Sequence, residues 1–272
     1  MIKYRLSFVQ GRISPQVGSA FQHFPIDNWH KELFEAKKIG LKNIEWIVSD
    51  LSNPIFSPIL SKIINKVLKK NKVEISSISL DYLMKRPLCE ETIADLNWIV
   101  KKLNVYKNES KKIRLNIPIE ENSRIFNFAQ VSSLIKNLNY IKKKISQKYI
   151  LSLETDMSPQ NLLVLLNKKE TKGIGINIDL GNIEANGYEI EEYFFKLKKL
   201  IYGIHIKSRG PLFSKSKMLK NNKILRFTVK NLNSLKNLHD ITLQSFKDEK
   251  NYKKQIIQNF KFINKLLIHE RV

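Results

Sequence analysis

The strongest constraint on the fold of this chain is a regular alternation between short strand-like runs and amphipathic helical patterns. Segments with apolar residues three and four positions apart separate the strand-like runs, and strands that alternate with helices are typical of α/β proteins with a parallel sheet. We therefore predict a single α/β domain, a (β/α)8 TIM barrel over residues 1–272, with a doubly wound open sheet as the alternative. The eight runs, rich in β-branched and aromatic residues, are YRLSFVQ, NIEWIV, VEISSISLDYL, KIRLNIPI, YILSLET, GINIDL, IYGIHIK and DITLQSF.

The helical patterns differ in strength. Ser57 followed by Pro58, and Ser158 followed by Pro159, predict an N-cap with proline in the first helical position. The seventh helical segment, within GPLFSKSKMLKNNKILRF, has the weakest pattern and begins as a long loop. We expect this loop to lie beside the active site, where it could close over a substrate. The alternative is that the loop is disordered.

The composition excludes several classes of protein. No apolar run reaches the roughly 18 residues that a membrane helix needs, and the N-terminal MIKYRLSFVQGR lacks the apolar core of a secretion signal. The single cysteine, Cys89, excludes an intramolecular disulfide and a thiolate metal cluster. We therefore expect a cytoplasmic protein without a membrane segment.

The formal net charge of +23 suggests an anionic partner such as nucleic acid. The lysines, however, are spread over nearly every segment, as in NKVLKKNK and YIKKKISQK, on the expected solvent faces of helices. No recognised nucleic-acid-binding motif accompanies the charge. A small-molecule substrate therefore fits the sequence better than nucleic acid does.

Polar residues at the strand ends indicate the site, because (β/α)8 barrels carry their chemistry at the C-terminal ends of the strands. In order, these residues are Gln10, Glu45, Asp81, Asn116, Glu154, Asp179, His205 and Gln244. Side chains alternate across a strand. If the last four point into the barrel, so do the residues two positions earlier, which are Ser152, Asn177, Gly203 and Thr242.

The last four strand ends combine two carboxylates, an imidazole and an amide oxygen. These donors suit a divalent metal such as Mn²⁺, Co²⁺, Mg²⁺ or Zn²⁺, and the donor types do not choose among these ions. Such an ion can polarise the carbonyl of a sugar and stabilise the enediolate that forms when a carboxylate removes the neighbouring proton. The alternative is structural: Glu154 and Asp179 would cap or pair at strand ends, and His205 would be an ordinary packed histidine.

The segments LSLETD, GINIDLGNIEANGY and IYGIHIKSRG, in this order and spacing, resemble the xylose-isomerase-like TIM-barrel superfamily of sugar-phosphate isomerases and epimerases. The likeness covers nearly the whole chain and is closest to the branch that contains L-ribulose-5-phosphate 3-epimerase. The resemblance implies that Glu154, Asp179 and His205 hold a metal ion together with a second glutamate, whose position is taken here by Gln244. It also implies that the two glutamates exchange protons with opposite faces of a substrate carbon.

Gln244 departs from the family pattern. A glutamine offers an amide oxygen to a metal but has no titratable carboxyl, so it cannot act as a base. A two-base epimerisation therefore loses one catalyst, whereas a one-base proton shift between neighbouring carbons keeps Glu154. We predict a metal-dependent sugar or sugar-phosphate isomerase or epimerase, and we favour isomerisation. Its catalytic residue is Glu154, and its metal ligands are Glu154, Asp179, His205 and Gln244.

Four further residues are candidates for binding substrate. Lys207 shares the inward face with His205, Arg209 stands just beyond it, and Arg12 and His23 lie in the first loop. Such cations suit a phosphate or carboxylate group. The family motif His-Ile-Lys-Asp-Arg reads HIKSR here, which leaves the local charge more positive. The alternative for Lys207 and Arg209 is that they are solvated surface charges.

Two other classes of function compete with an isomerase. A barrel that has lost activity could keep the pocket for a small anionic ligand or a partner, which the changes at Gln244 and Ser208 would allow. A DNA-repair endonuclease shares the wider superfamily fold, but it would need a multi-metal cluster, and His205 is the histidine that clearly falls at a strand end of the cluster. The sequence does not specify the sugar, its phosphorylation, the metal or whether the protein is a homo-oligomer.

Overall fold

Eight parallel strands close into one barrel in the order β1 to β8. The computed structural model describes residues 4–15, 22–106, 112–207, 222–244 and 252–269. β8 pairs in parallel with β1, so the sheet has no free edge, and the predicted TIM barrel is confirmed in place of an open sheet. The strands are β1 Arg5–Val9, β2 Asn43–Ile47, β3 Glu74–Ser79, β4 Ile113–Ile119, β5 Tyr149–Thr155, β6 Gly175–Asp179, β7 Ile201–Ile206 and β8 Asp240–Leu243.

The helices of the described residues follow the strands around the barrel. They are α1 Trp29–Lys38, α2 Pro58–Asn71, α3 Ile93–Val105, α4 Phe128–Lys144, α5 Pro159–Leu166, α6 Leu180–Ala185, α7 Ile190–Leu197, α8 Lys223–Asn231 and α9 Tyr252–His269. The hydroxyls of Ser57 and Ser158 accept hydrogen bonds from backbone N–H groups at the starts of α2 and α5, as predicted for N-caps. Most of the predicted loop before α8 lies outside the described residues. Within the described ranges, no helix has the length and apolar character needed to cross a membrane.

The strands have the predicted polarity. Leu153, Ile178 and Ile204 are buried on the outward face, within the layer between barrel and helices. On the inward face, Ser152 and Asn177 make polar contacts inside the barrel. This alternation places one polar side chain of each of β5, β6 and β7 at the barrel mouth.

The barrel interior contains a buried ion network. Arg114 on β4 donates to both carboxylate oxygens of Asp240 on β8 at 2.6 to 3.2 Å, and to Glu45 on β2 at 3.1 Å. Burial lowers the pKa of Arg114, but the charges of Asp240 and Glu45 outweigh burial and raise it. Gly203 makes room for this network, since a Cβ atom there would lie 2.5 Å from the guanidinium of Arg114. The network therefore ties three strands together across the barrel.

The prediction that Asn116 marks the end of the fourth strand is wrong. β4 pairs with β5 as far as Ile119, and Pro118, which lacks an N–H group, does not end the strand. Asn116 consequently lies inside the barrel, and Glu120 follows the strand at the mouth. The third strand is shorter than predicted: β3 ends at Ser79, and a 3₁₀ turn spans Asp81–Met84.

Candidate active site

Glu154, Asp179 and His205 converge at the mouth of the barrel. One ligand atom from each residue lies within 4.8 Å of the others, and each side chain is buried. Asp179 and His205 are paired in the register of β6 and β7, which explains their proximity. Clustered carboxylate oxygens and an imidazole nitrogen are a donor set for a divalent metal.

Glu154 is held by three side chains. Its Oε1 atom lies 2.9 Å from Nδ1 of His205, and its Oε2 atom accepts hydrogen bonds from Asn177 at 3.2 Å and from Asn116. Burial raises the pKa of Glu154, but His205, Lys207 and the Asn116 hydrogen bond outweigh burial and hold it well below its ordinary value. Glu154 is therefore an ionised carboxylate, the form that can accept a proton.

His205 lies between two carboxylates. Its Nε2 atom is 2.9 Å from Oε1 of Glu45, opposite the contact with Glu154. Burial lowers the pKa of His205, but Glu154 and Glu45 outweigh burial and raise it well above its ordinary value. Glu45 also accepts hydrogen bonds from Ser77 at 2.8 Å and from Arg114. The orientation of the imidazole is thereby linked to the ion network inside the barrel.

Asp179 uses its two oxygens differently. Oδ1 accepts hydrogen bonds from the backbone N–H groups of Gly181 at 2.8 Å and Asn182 at 3.0 Å, so it caps α6. Oδ2 forms a buried ion pair with Nζ of Lys207. Oδ1 thus has the capping role that is the alternative to metal binding, whereas Oδ2 faces the cluster. A metal at Oδ2 would compete with Lys207.

A cavity of about 340 Å³ opens beside the cluster. This volume is within the range of small-molecule sites. Its position at the C-terminal ends of the strands is the usual place for a TIM-barrel active site. The residues that line it are Gln22, His23, Ser49, Asp81, Met84, Lys85, Pro118, Glu120, Glu121, Asn122, Glu154, Lys207 and Gln244.

Four of the eight predicted metal and substrate residues, Glu154 among them, line this cavity. His23, Lys207 and Gln244 line it directly. The amide oxygen of Gln244 is buried without a hydrogen-bond partner among the described residues, so it is free to contact a cation. Arg12 does not line the cavity, but its Nη2 atom donates to Gln22, which does, at 2.6 Å. Arg209 lies outside the described residues.

Two carboxyl groups in the cavity wall have raised pKa values. Burial, opposed by hydrogen bonds from Ser79 and Gln22, raises the pKa of Asp81 to about 7, and the nearby Glu45 and Glu154 add to the shift. Burial and Glu154 raise the pKa of Glu120 to about 8. The sequence analysis missed Glu120, although it continues the inward series of Arg114, Asn116 and Pro118 at every second residue. This alternation of inward residues was the sequence signal that could have identified Glu120.

The fold is that of the xylose isomerase-like TIM barrels. A xylose isomerase domain protein from Planctomyces limnophilus has a TM-score of 0.70 at 13% identity, with 97% of each chain covered. A xylose isomerase-like TIM barrel protein from Mycobacterium smegmatis, solved with magnesium, has a TM-score of 0.66 at 14% identity, over 99% of this chain and 98% of that one. The 3-keto-D-glucoside 4-epimerase of E. coli has a TM-score of 0.69 at 10% identity, over 97% and 100%.

These similarities confirm the predicted resemblance at the level of the fold. No sequence-family model matches the chain, and no curated protein matches it in sequence. The closer likeness to the L-ribulose-5-phosphate 3-epimerase branch stays a prediction. The function must therefore be argued from the site.

Proposed function

We propose that this protein is a metal-dependent isomerase or epimerase that moves a proton next to the carbonyl of a small sugar or sugar phosphate. The observation that carries the proposal is the convergence of Glu154, Asp179 and His205 within 4.8 Å beside a cavity at the barrel mouth. A carboxylate, a metal-binding cluster and a small cavity are the parts that proton abstraction next to a carbonyl requires.

The residues present fit a divalent metal. Oxygens of Glu154 and Asp179 and a ring nitrogen of His205 would hold the ion, and the unpartnered amide oxygen of Gln244 would be a fourth ligand. When bound, the ion would polarise a substrate carbonyl and stabilise the negative charge of an enediolate. The magnesium complex of the Mycobacterium smegmatis neighbour supports a metal in this fold.

Glu154 is the proton-transfer base of the proposal. It is ionised, and Asn116 and Asn177 fix its orientation at the cavity. A carboxylate held in this way can remove a proton from a carbon next to a carbonyl without first losing a proton of its own. Lys207 and His23 line the same cavity and would contact substrate oxygens. Arg12 would act through Gln22, and Arg209 would add a further cation.

The polar groups of the described cavity wall suit a sugar. Four carboxyl groups, those of Asp81, Glu120, Glu121 and Glu154, share the wall with Lys85 and Lys207. Lys207 is already paired with Asp179. Sugar hydroxyls can donate hydrogen bonds to carboxyl oxygens, whereas a phosphate would depend on further cations such as Arg209.

Hydrogen exchange tests the proposal. The protein, loaded with Mn²⁺ or Co²⁺, is incubated in D₂O with pentoses, hexoses and their phosphates, and carbon-bound hydrogen is followed by NMR. We expect exchange next to the carbonyl of at least one sugar, and a loss of about 10²- to 10⁴-fold in Glu154→Gln, the range of general acid–base catalysis. Glu192→Gln, a change on the exposed face of α7, is the matched control. If none of the sugars exchanges its hydrogen with either metal, the proposal is overturned.

The alternative function is a barrel that binds a small anionic ligand or a partner without isomerase activity. The buried Lys207–Asp179 ion pair favours it, because the Lys207 ammonium already contacts Oδ2 of Asp179, the oxygen that a metal would need. In that case Lys207→Met would abolish ligand binding, and added metal would change neither binding nor thermal stability.

A further inference from the structure

Gln244 leaves the site without the second carboxyl group that a two-base proton transfer needs. The cavity wall nevertheless contains carboxyl groups on the side of β3 and β4. The question is whether one of them lies where it can replace the group missing from β8.

Asp81 is joined to position 244 through one side chain. Its Oδ2 atom accepts a hydrogen bond of 2.5 Å from Nε2 of Gln22. Oε1 of Gln22 in turn accepts from Nε2 of Gln244 at 3.2 Å and from Nη2 of Arg12 at 2.6 Å. The Gln22 amide therefore fixes the Asp81 carboxyl beside the side chain that takes the place of the family's glutamate.

Asp81 also reaches the space that a ligand would occupy. It lies two residues after the end of β3, is partly exposed, and lines the same cavity as Glu154 on β5. β4 separates the two strands in the barrel. The two carboxyl groups therefore reach the cavity from strands that are not neighbours in the barrel.

The neighbouring Glu120 is less suited to proton transfer. Its side chain accepts hydrogen bonds from Asn182 and from the backbone N–H of Ser123, and so connects the loop after β4 to α6. Proton transfer would break contacts that hold these two segments. Among the described residues that line the cavity, Asp81 is the carboxyl whose side-chain partner, Gln22, also contacts Gln244.

The surroundings of Asp81 favour its protonated form. Burial raises the pKa of Asp81 to about 7, and hydrogen bonds from Ser79 and Gln22 oppose this shift. Near neutral pH, a proton is therefore available on the Asp81 carboxyl, in the wall of the cavity that Glu154 also lines.

We propose that Asp81 is the second proton-transfer residue of this site and that, with Glu154, it epimerises an α-hydroxy ketone. The inference rests on the proposed function. Glu154 removes the proton from the hydroxyl-bearing carbon next to the carbonyl, and the electrons of the C–H bond form the enediolate. The Asp81 carboxyl gives its proton to the same carbon from the other direction as the carbonyl forms again. Water then returns a proton to Asp81 and accepts one from Glu154.

The test follows both exchange and configuration with the Mn²⁺-loaded protein in D₂O, with ketopentoses and ketohexoses as probes. In the parent protein, we expect early deuterium in the inverted product and little in the recovered sugar. Asp81→Asn keeps a side-chain oxygen for Gln22, so it should preserve the fold. We expect it to slow epimer formation by about 10²-fold or more while exchange without inversion continues. Glu154→Gln should lose both epimer formation and hydrogen exchange.

Restoring a carboxyl at position 244 sharpens the test. The double variant Asp81→Asn with Gln244→Glu should recover epimer formation, because it places a titratable carboxyl group directly after β8. Asp50→Asn, the same chemical change outside the cavity wall, should behave as the parent does. Circular dichroism and metal content establish that each variant is folded.

The outcomes separate this inference from the proposed function. The role of Asp81 is overturned if Asp81→Asn forms the epimer at the parent rate. It is also overturned if the parent exchanges hydrogen and forms an aldose but no epimer. Either result leaves the proposed function intact. If the parent catalyses hydrogen exchange on none of the sugars, both proposals are overturned. If Asp81→Asn does not fold, the early deuterium distribution of the parent decides: equal labelling of product and recovered sugar contradicts a second proton donor.

Discussion

At the scale of single residues, Glu45 links the barrel interior to the candidate metal site. Its Oε1 atom lies 2.9 Å from Nε2 of His205, while Oε2 is held by Ser77 and Arg114. A carboxylate behind a ligating histidine fixes the orientation of the ring and raises its basicity. Glu45 is therefore a positioning residue, which acts on the site through His205.

We expect Glu45→Gln to weaken Mn²⁺ binding by about 10- to 100-fold, the usual effect of losing such a partner. Calorimetric titration of the parent and the variant measures the change. Glu91→Gln, which alters a buried carboxylate near α3, should bind Mn²⁺ as the parent does. Equal affinity of parent and Glu45→Gln would show that the ring is held without Glu45.

The sequence predicted the residues of the cluster better than their surroundings. Glu154, Asp179 and His205 follow from strand parity, because each ends a strand whose outward neighbours are apolar. Arg114 and Asp240 could not be predicted in the same way, since a charged residue on an inward face has no defined partner until the barrel closes. Asp81 and Gln22 are joined across 59 positions of sequence, and no periodic pattern indicates such a contact.

At the scale of elements, the Arg114 network couples β4 to β8 and β2. Removing one member of a buried ion network leaves the other charges without compensation, which typically costs about 3–5 kcal/mol. We therefore expect Arg114→Met to reduce the free energy of unfolding by about that amount. Urea denaturation measures the difference.

Lys38→Met is the control for this network. Lys38 pairs with Glu35 at 3.3 Å, its side chain is 55% exposed, and exposed ion pairs contribute about 0–1 kcal/mol. A loss of less than about 1 kcal/mol in Arg114→Met would mean that methionine packing replaces the ion network without cost.

The strands were predictable, but the residue that each one presents at the barrel mouth was not always so. β-branched and aromatic runs located all eight strands, because such residues fit a pleated, buried surface. The run KIRLNIPI predicts a strand as far as Ile119, which the pairing of β4 with β5 confirms. Asn116 is the last amide or charged side chain within that run, and Glu120, the inward residue at the mouth, falls one position beyond it. That boundary is the reason Glu120 was missed.

At the scale of the whole molecule, charge is divided between the surface and the barrel mouth. The chain carries a formal net charge of +23, yet the cavity wall contains more carboxyl groups than lysines among the described residues. A strongly basic chain therefore contains a site rich in carboxyl groups, which suits a cation and sugar hydroxyls. The fold could be predicted from periodicity, whereas the reaction could not, because the same barrel supports many chemistries.

The measurement that tests the central claim most directly is the metal content of the protein prepared without chelator or affinity metal and then exposed to Mn²⁺, Co²⁺, Mg²⁺ or Zn²⁺. Elemental analysis of the parent is compared with that of Asp179→Ala and His205→Ala. We predict about one ion per chain in the parent and its loss in both variants, because each removes one of three clustered ligands. A parent without bound metal, or variants that retain it, would contradict a metal-dependent site at the barrel mouth.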